Sequence, residues 1–262
     1  MGVNYQRGFT IIEISLFFAV SSLLLFTLMV GITIAVQRQR FTDSVNSAQS
    51  FLQQQYNETQ TTINNRSSLA CGDAVSRGTS DCLVIGKIID LLPANNNSDD
   101  NRFNSYNVTA DATLPSNANA LDNVTLLNQL HPTAVREQTN DQEYIVAWGA
   151  QIRLLRDSEG DGNNDTSAGS AVRYLLILRS PTSGLMQTYE LNSMNDIFSA
   201  NDTEDLSGRI SLLGGSSERA IKACVTSADL IGVNALLTIE ESGTQDGVTT
   251  AFDTDEAREW CT

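Results

Sequence analysis

The sequence predicts an α+β chain in which one long N-terminal α-helix packs on an antiparallel β-sheet domain. Three observations predict it. From Phe9 to Val36 there are 28 residues, and Glu13 is the only charged one. After Arg40 the apolar residues Phe41, Val45, Ala48, Phe51, Leu52 and Tyr56 recur at spacings of three and four, the period of one helix face. From Glu143 onward the pattern changes to short apolar runs separated by turn residues, the period of strands.

The first of these segments is long enough to cross a bilayer, which needs about 20 apolar residues. Residues 9–36 are therefore read as the transmembrane half of the helix. Residues 37–65 are read as an extracytoplasmic half whose apolar face needs a cover. No proline occurs from Met1 to Leu92, so nothing forces a break. Gly31 is the one soft point, at up to about 1 kcal/mol in a helix interior. The Asn64-Asn65 pair suggests an end near residue 65, which gives roughly 85 Å of helix from Phe9 at 1.5 Å per residue. Two helices with a joint near Gln37 are the alternative. Glu13 is the anomaly, because a carboxylate in a membrane helix costs on the order of 2.5 kcal/mol or more unless it is paired. Removing residues 1–8 would supply a partner. The new Phe9 amino terminus of a neighbouring subunit would be positive and about one helical turn from Glu13.

Gly8-Phe9-Thr10-Ile11-Ile12-Glu13, behind a short leader with Arg7 and ahead of an apolar helix, resembles the prepilin signal of type IV pilins and pseudopilins. The resemblance covers roughly residues 1–60, and beyond that only the general layout is similar. It implies a pilin-like fold and a leader peptide, residues 1–8. A prepilin peptidase and methyltransferase would cut after Gly8 and methylate Phe9. Phe9 and Glu13 would then act in filament assembly. The partners implied are other pilin subunits, in a homo- or hetero-polymer, and an inner-membrane assembly platform. The implied location is the cytoplasmic membrane before assembly and a cell-surface filament after it. The expected function is that of a structural subunit of a type IV pilus or related filament, serving adhesion, motility or surface contact. The alternative is a minor pilin, or a secretion- or uptake-system pseudopilin, whose globular domain binds a partner. An ordinary signal anchor is the plain competing reading of the same residues.

Charge and cysteines fit an exported chain. The formal net charge is −15. An acidic surface repels phosphate, so direct nucleic-acid binding is not expected. Arg7 lies on the proposed cytoplasmic side, but Arg38 and Arg40 follow the helix on the other, so the positive-inside rule does not fix topology. The four cysteines fall into two local groups, Cys71 with Cys82 and Cys224 with Cys261. An even count behind an export signal points to disulfides. Three connectivities are open, and local pairing needs the least topological assumption. The smaller loop would contribute roughly 3 kcal/mol and the larger roughly 4. Metal–thiolate ligation is the weaker alternative, since there is no CxxC pair and the only histidine, His131, stands in a loop-like Leu130-His131-Pro132.

Residues 66–142 read as a variable loop region with one clear strand, Cys82 to Ile89. The stretch from the Asn-rich cluster at 94–101 to Asp141 reads as an irregular, exposed excursion. Residues 143–262 read as the antiparallel β-sheet domain with a cysteine-closed C-terminal segment. Its strands are Tyr144 to Leu155 with Gly149 as a bulge, Val172 to Leu178, Leu185 to Leu191, Ala220 to Val225 and Val233 to Ile239. Ser180 to Gly184 is a hairpin connection. Glu240 to Thr250 is polar and has little to bury, and Trp260 is placed to anchor the chain end.

The loop after the first of these strands runs Asp157-Ser158-Glu159-Gly160-Asp161-Gly162-Asn163-Asn164-Asp165. It resembles the start of an EF-hand-type calcium loop. Asp157, Glu159, Asp161 and Asp165, with the Asn163 carbonyl, would supply hard oxygen ligands to one calcium ion. Ala168 stands where a bidentate glutamate would close the shell. A solvated acidic hairpin tip is the alternative. No other cofactor is expected, and neither is an enzyme. There is no HExxH, no GxSxG and no phosphate-cradling loop, and Gly214-Gly215 is a turn with no lysine after it. Asp253, Asp255 and Glu256 read as a charged surface run.

Overall fold

In a computed structural model the long helix is a single element, α1, Ile11–Thr61, without a joint at Gln37. The structure describes residues 10–61, 82–91, 102–111, 121–135, 142–155, 174–180, 183–191, 203–212, 220–227, 233–240 and 245–261. The chain divides into two compact units, Met1–Thr42 and Asp43–Thr262, and α1 belongs to both.

In the second unit the helical spacing read from the sequence becomes a buried stripe. Val45, Ala48, Phe51, Leu52 and Tyr56 are all buried. Facing them is an antiparallel sheet of eight strands. It contains β1 (Cys82–Leu91), β2 (Arg102–Asp111), β3 (Thr133–Val135), β4 (Gln142–Ile145), β6 (Tyr174–Arg179), β7 (Met186–Leu191), β8 (Thr203–Asp205) and β9 (Ile210–Leu212). The strand order is β8-β3-β2-β1-β6-β7-β9, with β4 paired to the other end of β2. Phe51 stacks on Tyr144 at 5.0 Å between ring centres, and Phe103 joins both rings. The Tyr56 hydroxyl meets the Thr188 hydroxyl at 2.7 Å in the core, and burial raises the tyrosine pKa well above its ordinary value.

The opposite face of this sheet carries its own core, made by Ile88, Tyr106, Val108, Tyr174, Leu176, Leu178, Tyr189 and their neighbours. Helix α2 (Asn123–Gln129) covers it with Leu126 and Leu127. With a layer on each side, β6 is buried along Tyr174, Leu175, Leu176, Ile177 and Leu178. A continuous apolar run, not an alternating one, is what two-sided burial asks for.

A second, four-stranded antiparallel sheet runs β12-β11-β10-β5. Its members are β5 (Ala150–Leu155), β10 (Ile221–Ser227), β11 (Asn234–Ile239) and β12 (Val248–Phe252). Helix α3 (Asp255–Cys261) packs Ala257 and Trp260 on Cys224 and Leu236. The Lys222 ammonium sits 4.1 Å from the Trp260 ring centre, a cation–π contact. The Thr254 hydroxyl caps α3 by accepting from the Ala257 amide at 3.1 Å. Cys224 and Cys261 form a disulfide across 37 positions, with 5.4 Å between their Cα atoms.

Four expectations need correction. The stretch from the Asn-rich cluster at 94–101 to Asp141 is not irregular throughout: among its described residues it supplies β2, α2 and β3. In β2 the helix-facing side includes polar Ser105 and Thr109, both buried, and these masked the alternation. Tyr144 to Leu155 is not one bulged strand. It is β4 and β5, which belong to different sheets, with Trp148 at φ 62° and Gly149 at φ 67° turning the chain between them. Glu240 to Thr250 includes the start of β12, where Val248 is buried and paired to Ile239. Finally, two sheets form where one was expected.

A bulge decides how β1 presents its side chains. The pairing of β1 with β2 slips between Val84 and Gly86, which puts Ile85 and Ile88 on the same face despite their odd spacing. Gly86 is obligatory there. A Cβ on it would lie 2.0 Å from the Ile177 carbonyl oxygen, inside any allowed contact. Beyond the bulge Lys87 points to α1, opposite Ile177 on β6.

Two predictions arise from these contacts. Asp122 caps α2, and hydrogen bonds from the Thr125 amide and hydroxyl hold its carboxyl below the usual carboxylate range. A depressed folded pKa contributes stability above the unfolded value of about 3.9, and that contribution is lost as pH falls through the folded value. Thermal melts of wild type and Asp122→Asn should therefore converge as pH is lowered from about 5 to 2. A constant gap between the two would contradict the assignment. Replacing both Cys224 and Cys261 by serine should cost about 2–4 kcal/mol in denaturant unfolding. It should also make α3 the first site of limited proteolysis.

Candidate membrane and assembly segment

The first unit is described from Thr10. Its helix is long and apolar enough to cross a membrane, with an 18-residue window of mean hydropathy 2.3, none of it buried. Ile11 is 87% exposed, Phe17 67% and Met29 74%. So much contiguous apolar surface is not a stable face toward water. Such a helix suggests membrane insertion.

Four hydroxyls along this run are satisfied within the helix. Ser15 donates to the Ile12 carbonyl at 2.9 Å and Ser22 to Ala19 at 3.0 Å. Thr27 donates to Leu24 and Thr33 to Met29, each at 2.9 Å. A hydroxyl bonded back to its own helix presents little unpaired polarity to hydrocarbon. The sequence thus keeps serine and threonine in an apolar environment without needing partners for them.

Glu13 stands in the first turn of α1 and has a local role that the sequence reading missed. Its Oε2 accepts from the Thr10 amide at 2.8 Å and from the Thr10 hydroxyl at 3.1 Å. The Thr10 hydroxyl in turn accepts from the Glu13 amide at 3.3 Å. This reciprocal pair is a capping box, which satisfies two amides that a helix start leaves without partners. The pattern Thr10-x-x-Glu13 ahead of an apolar run was legible in the sequence as a helix start. A carboxylate in the first turn also meets the positive end of the helix dipole. Gly8 and Phe9 lie outside the described residues, so the expected pairing of Glu13 with an amino terminus does too.

The remaining candidate residues divide plainly. Cys224 and Cys261 are bonded to each other. Cys82 opens β1, while Cys71 lies outside the described residues. Asp157, Glu159, Asp161, Asn163 and Asp165, the calcium candidates, also lie outside them. Among the described residues no group of three or more His, Cys, Asp or Glu side chains is placed to hold a metal ion. His131 is exposed, at φ 48°, between α2 and β3. Asp253 and Asp255 are exposed, and Asp253 accepts from Arg258 at 3.1 Å.

No protein-family model, curated protein or solved structure matches this chain. The functional reading rests on the N-terminal residues and the architecture alone.

The capping box gives a direct test. Thr10→Ala removes both the capping hydroxyl and one donor to Glu13, at a typical cost of about 1 kcal/mol. In detergent micelles, amide exchange at residues 11–14 should speed up roughly fivefold, with the helix beyond residue 20 unchanged. Thr10→Ser should restore slow exchange.

Proposed function

We propose that this chain is a structural subunit of a type IV pilus-like filament, held in the membrane by residues 9–36 and polymerised through that helix once the leader is removed. The observation that carries this reading is the first unit itself. Its membrane-length window is a capped apolar helix with nothing buried, and Glu13 stands five positions after Gly8. A helix with an apolar surface all round needs lipid or other helices for company. The second unit supports the same reading, since it is an acidic, disulfide-bonded domain suited to an oxidising exterior. Glu13 then has two uses in sequence. Before assembly it caps its own helix, and after cleavage at Gly8 a neighbour's Phe9 amino group offers it a charge partner within the apolar span.

Mass spectrometry of assembled material should give a mature chain beginning at N-methylated Phe9. An intact Met1 terminus there would sink the proposal. Glu13→Val should leave a membrane-inserted, folded monomer with its Cys224–Cys261 bond formed, but filament yield after shearing should drop at least tenfold. Normal filament yield from this variant would show that assembly rests on apolar packing alone.

A further inference from the structure

Within the second unit, a buried polar cluster joins α1 to the larger sheet. Gln55 is fully buried in the middle of the apolar stripe. Lys87 reaches it from β1, its Nζ donating to Gln55 Oε1 at 3.0 Å. The same Nζ pairs with Glu58 Oε2, one helical turn from Gln55. The Lys87 side chain is 12% exposed and that of Glu58 23%. A lysine has no acceptor, so its contact fixes which end of the Gln55 amide is the carbonyl.

The surrounding groups complete the set. Ser105 Oγ donates to Gln55 Oε1 at 2.7 Å, so that oxygen takes two donors. Gln55 Nε2 donates to Gln142 Oε1 at 2.8 Å. Gln142 Nε2 donates to both Glu58 oxygens, at 3.0 and 2.9 Å, and Gln54 Nε2 donates to Glu58 Oε1 at 2.6 Å. Burial alone would raise the Glu58 pKa, but the hydrogen bonds from Lys87, Gln142 and Gln54 outweigh it, and the carboxyl is ionised at neutral pH.

An amine, an amide carbon one bond beyond the oxygen it touches, a carboxylate on the amine and one further donor, Ser105 Oγ, on the carbonyl oxygen are the parts of an acyl-transfer site. We propose that Gln55, Lys87 and Glu58 form an intramolecular cross-linking site, in which the Lys87 amine displaces ammonia from the Gln55 side-chain amide and ties α1 to β1 through an isopeptide bond.

The step balances without any co-reactant. The reaction starts from the minor population in which one Nζ proton has passed to Glu58 along the contact between them, leaving the amine free and the carboxyl protonated. The Nζ lone pair attacks Gln55 Cδ, and the bond between them forms. Negative charge gathers on Oε1, where a second donor, Ser105 Oγ, already points. Glu58 returns its proton to Nε2, the Cδ–Nε2 bond breaks and ammonia leaves. The second Nζ proton passes to the carboxylate and then to ammonia. The net change is an ammonium and a primary amide going to a secondary amide and ammonium ion. Nothing is oxidised or reduced. What the fold supplies is position: a buried amine held against one amide gains the advantage of an intramolecular reaction, and Glu58 is at hand to carry the protons. This inference does not depend on the filament reading.

The experiment is intact-mass measurement and peptide mapping of the purified chain and of Glu58→Gln and Lys87→Arg variants. Wild type should be lighter than its sequence by one ammonia, with a branched peptide joining the segments around Gln55 and Lys87. Both variants should have full mass, with the Cys224–Cys261 bond present to show that they fold. Wild type at full mass, with Lys87 open to amine acylation once denatured, would overturn the proposal. So would an ammonia loss mapped to another residue. A branched peptide in Glu58→Gln at the wild-type level would remove Glu58 from the reaction.

Discussion

The second half of α1 has to satisfy two sheets at once, and the globular unit is organised by that demand. Phe51, Gln55 and Tyr56 meet the larger sheet through Tyr144, Ser105 and Thr188. Gln49 and Gln53 meet the smaller one, both donating to the Val248 carbonyl on β12, at 2.8 and 3.3 Å. Thr250 returns a hydrogen bond to Gln49 Oε1 at 3.1 Å. Glutamine suits this position. It is long enough to span the gap to a strand, and it offers donors and acceptors to backbone that apolar side chains would leave unsatisfied. The apolar stripe supplies the burial, while Gln49 and Gln53 beside it and Gln55 within it tie the helix to particular strands.

The same helix faces two different requirements along its length. Up to Val36 its surface is apolar in every direction, and its few hydroxyls fold back on their own carbonyls. Beyond Arg40 it becomes amphipathic, and the polar groups reach outward to partners in other elements. Glu13 and Glu58 show the contrast. Glu13 is held by its own first turn, three residues away. Glu58 is held by Lys87 on β1 and by Gln142 on β4. One carboxylate begins the helix and the other docks it.

Legibility in the sequence followed how simply each element is buried. The apolar run, the Val45-to-Tyr56 stripe, β1, β6, β7, β10 and β11 are each a dense apolar run or a clear period, and each is legible within a few residues. The local Cys224–Cys261 pairing was read as well. What escaped had mixed demands. In β2 polar residues are buried at Ser105, which meets Gln55 of the helix, and at Thr109, which donates to the Thr133 carbonyl on β3. The division into two sheets is invisible because it depends on Trp148 and Gly149 adopting positive φ, which nothing in an alternating pattern announces. Lys87 inside an otherwise apolar strand and Gln55 inside an apolar stripe were the available hints of a polar cluster, and they pair only in three dimensions. The Thr10-x-x-Glu13 cap is legible as a helix start, with the one carboxylate of the apolar run as its second member.

The strand order carries a consequence for time. β1 lies between β2, its neighbour in sequence, and β6, to which it pairs from Gly86↔Leu178 to Asp90↔Tyr174, across 92 positions at the first of these and 84 at the last. Between β1 and β6 the chain must also lay down β5, which belongs to the other sheet. Pairings this distant close slowly, because loop entropy is spent before any contact rewards it. Until β6 arrives, the inner edge of β1 exposes unpaired backbone beside Ile88 and Ile89, a template for pairing with another chain. A protein built this way should need dilution or chaperoning during biogenesis, and its yield should be limited by how long that edge stays open more than by how stable the finished domain is.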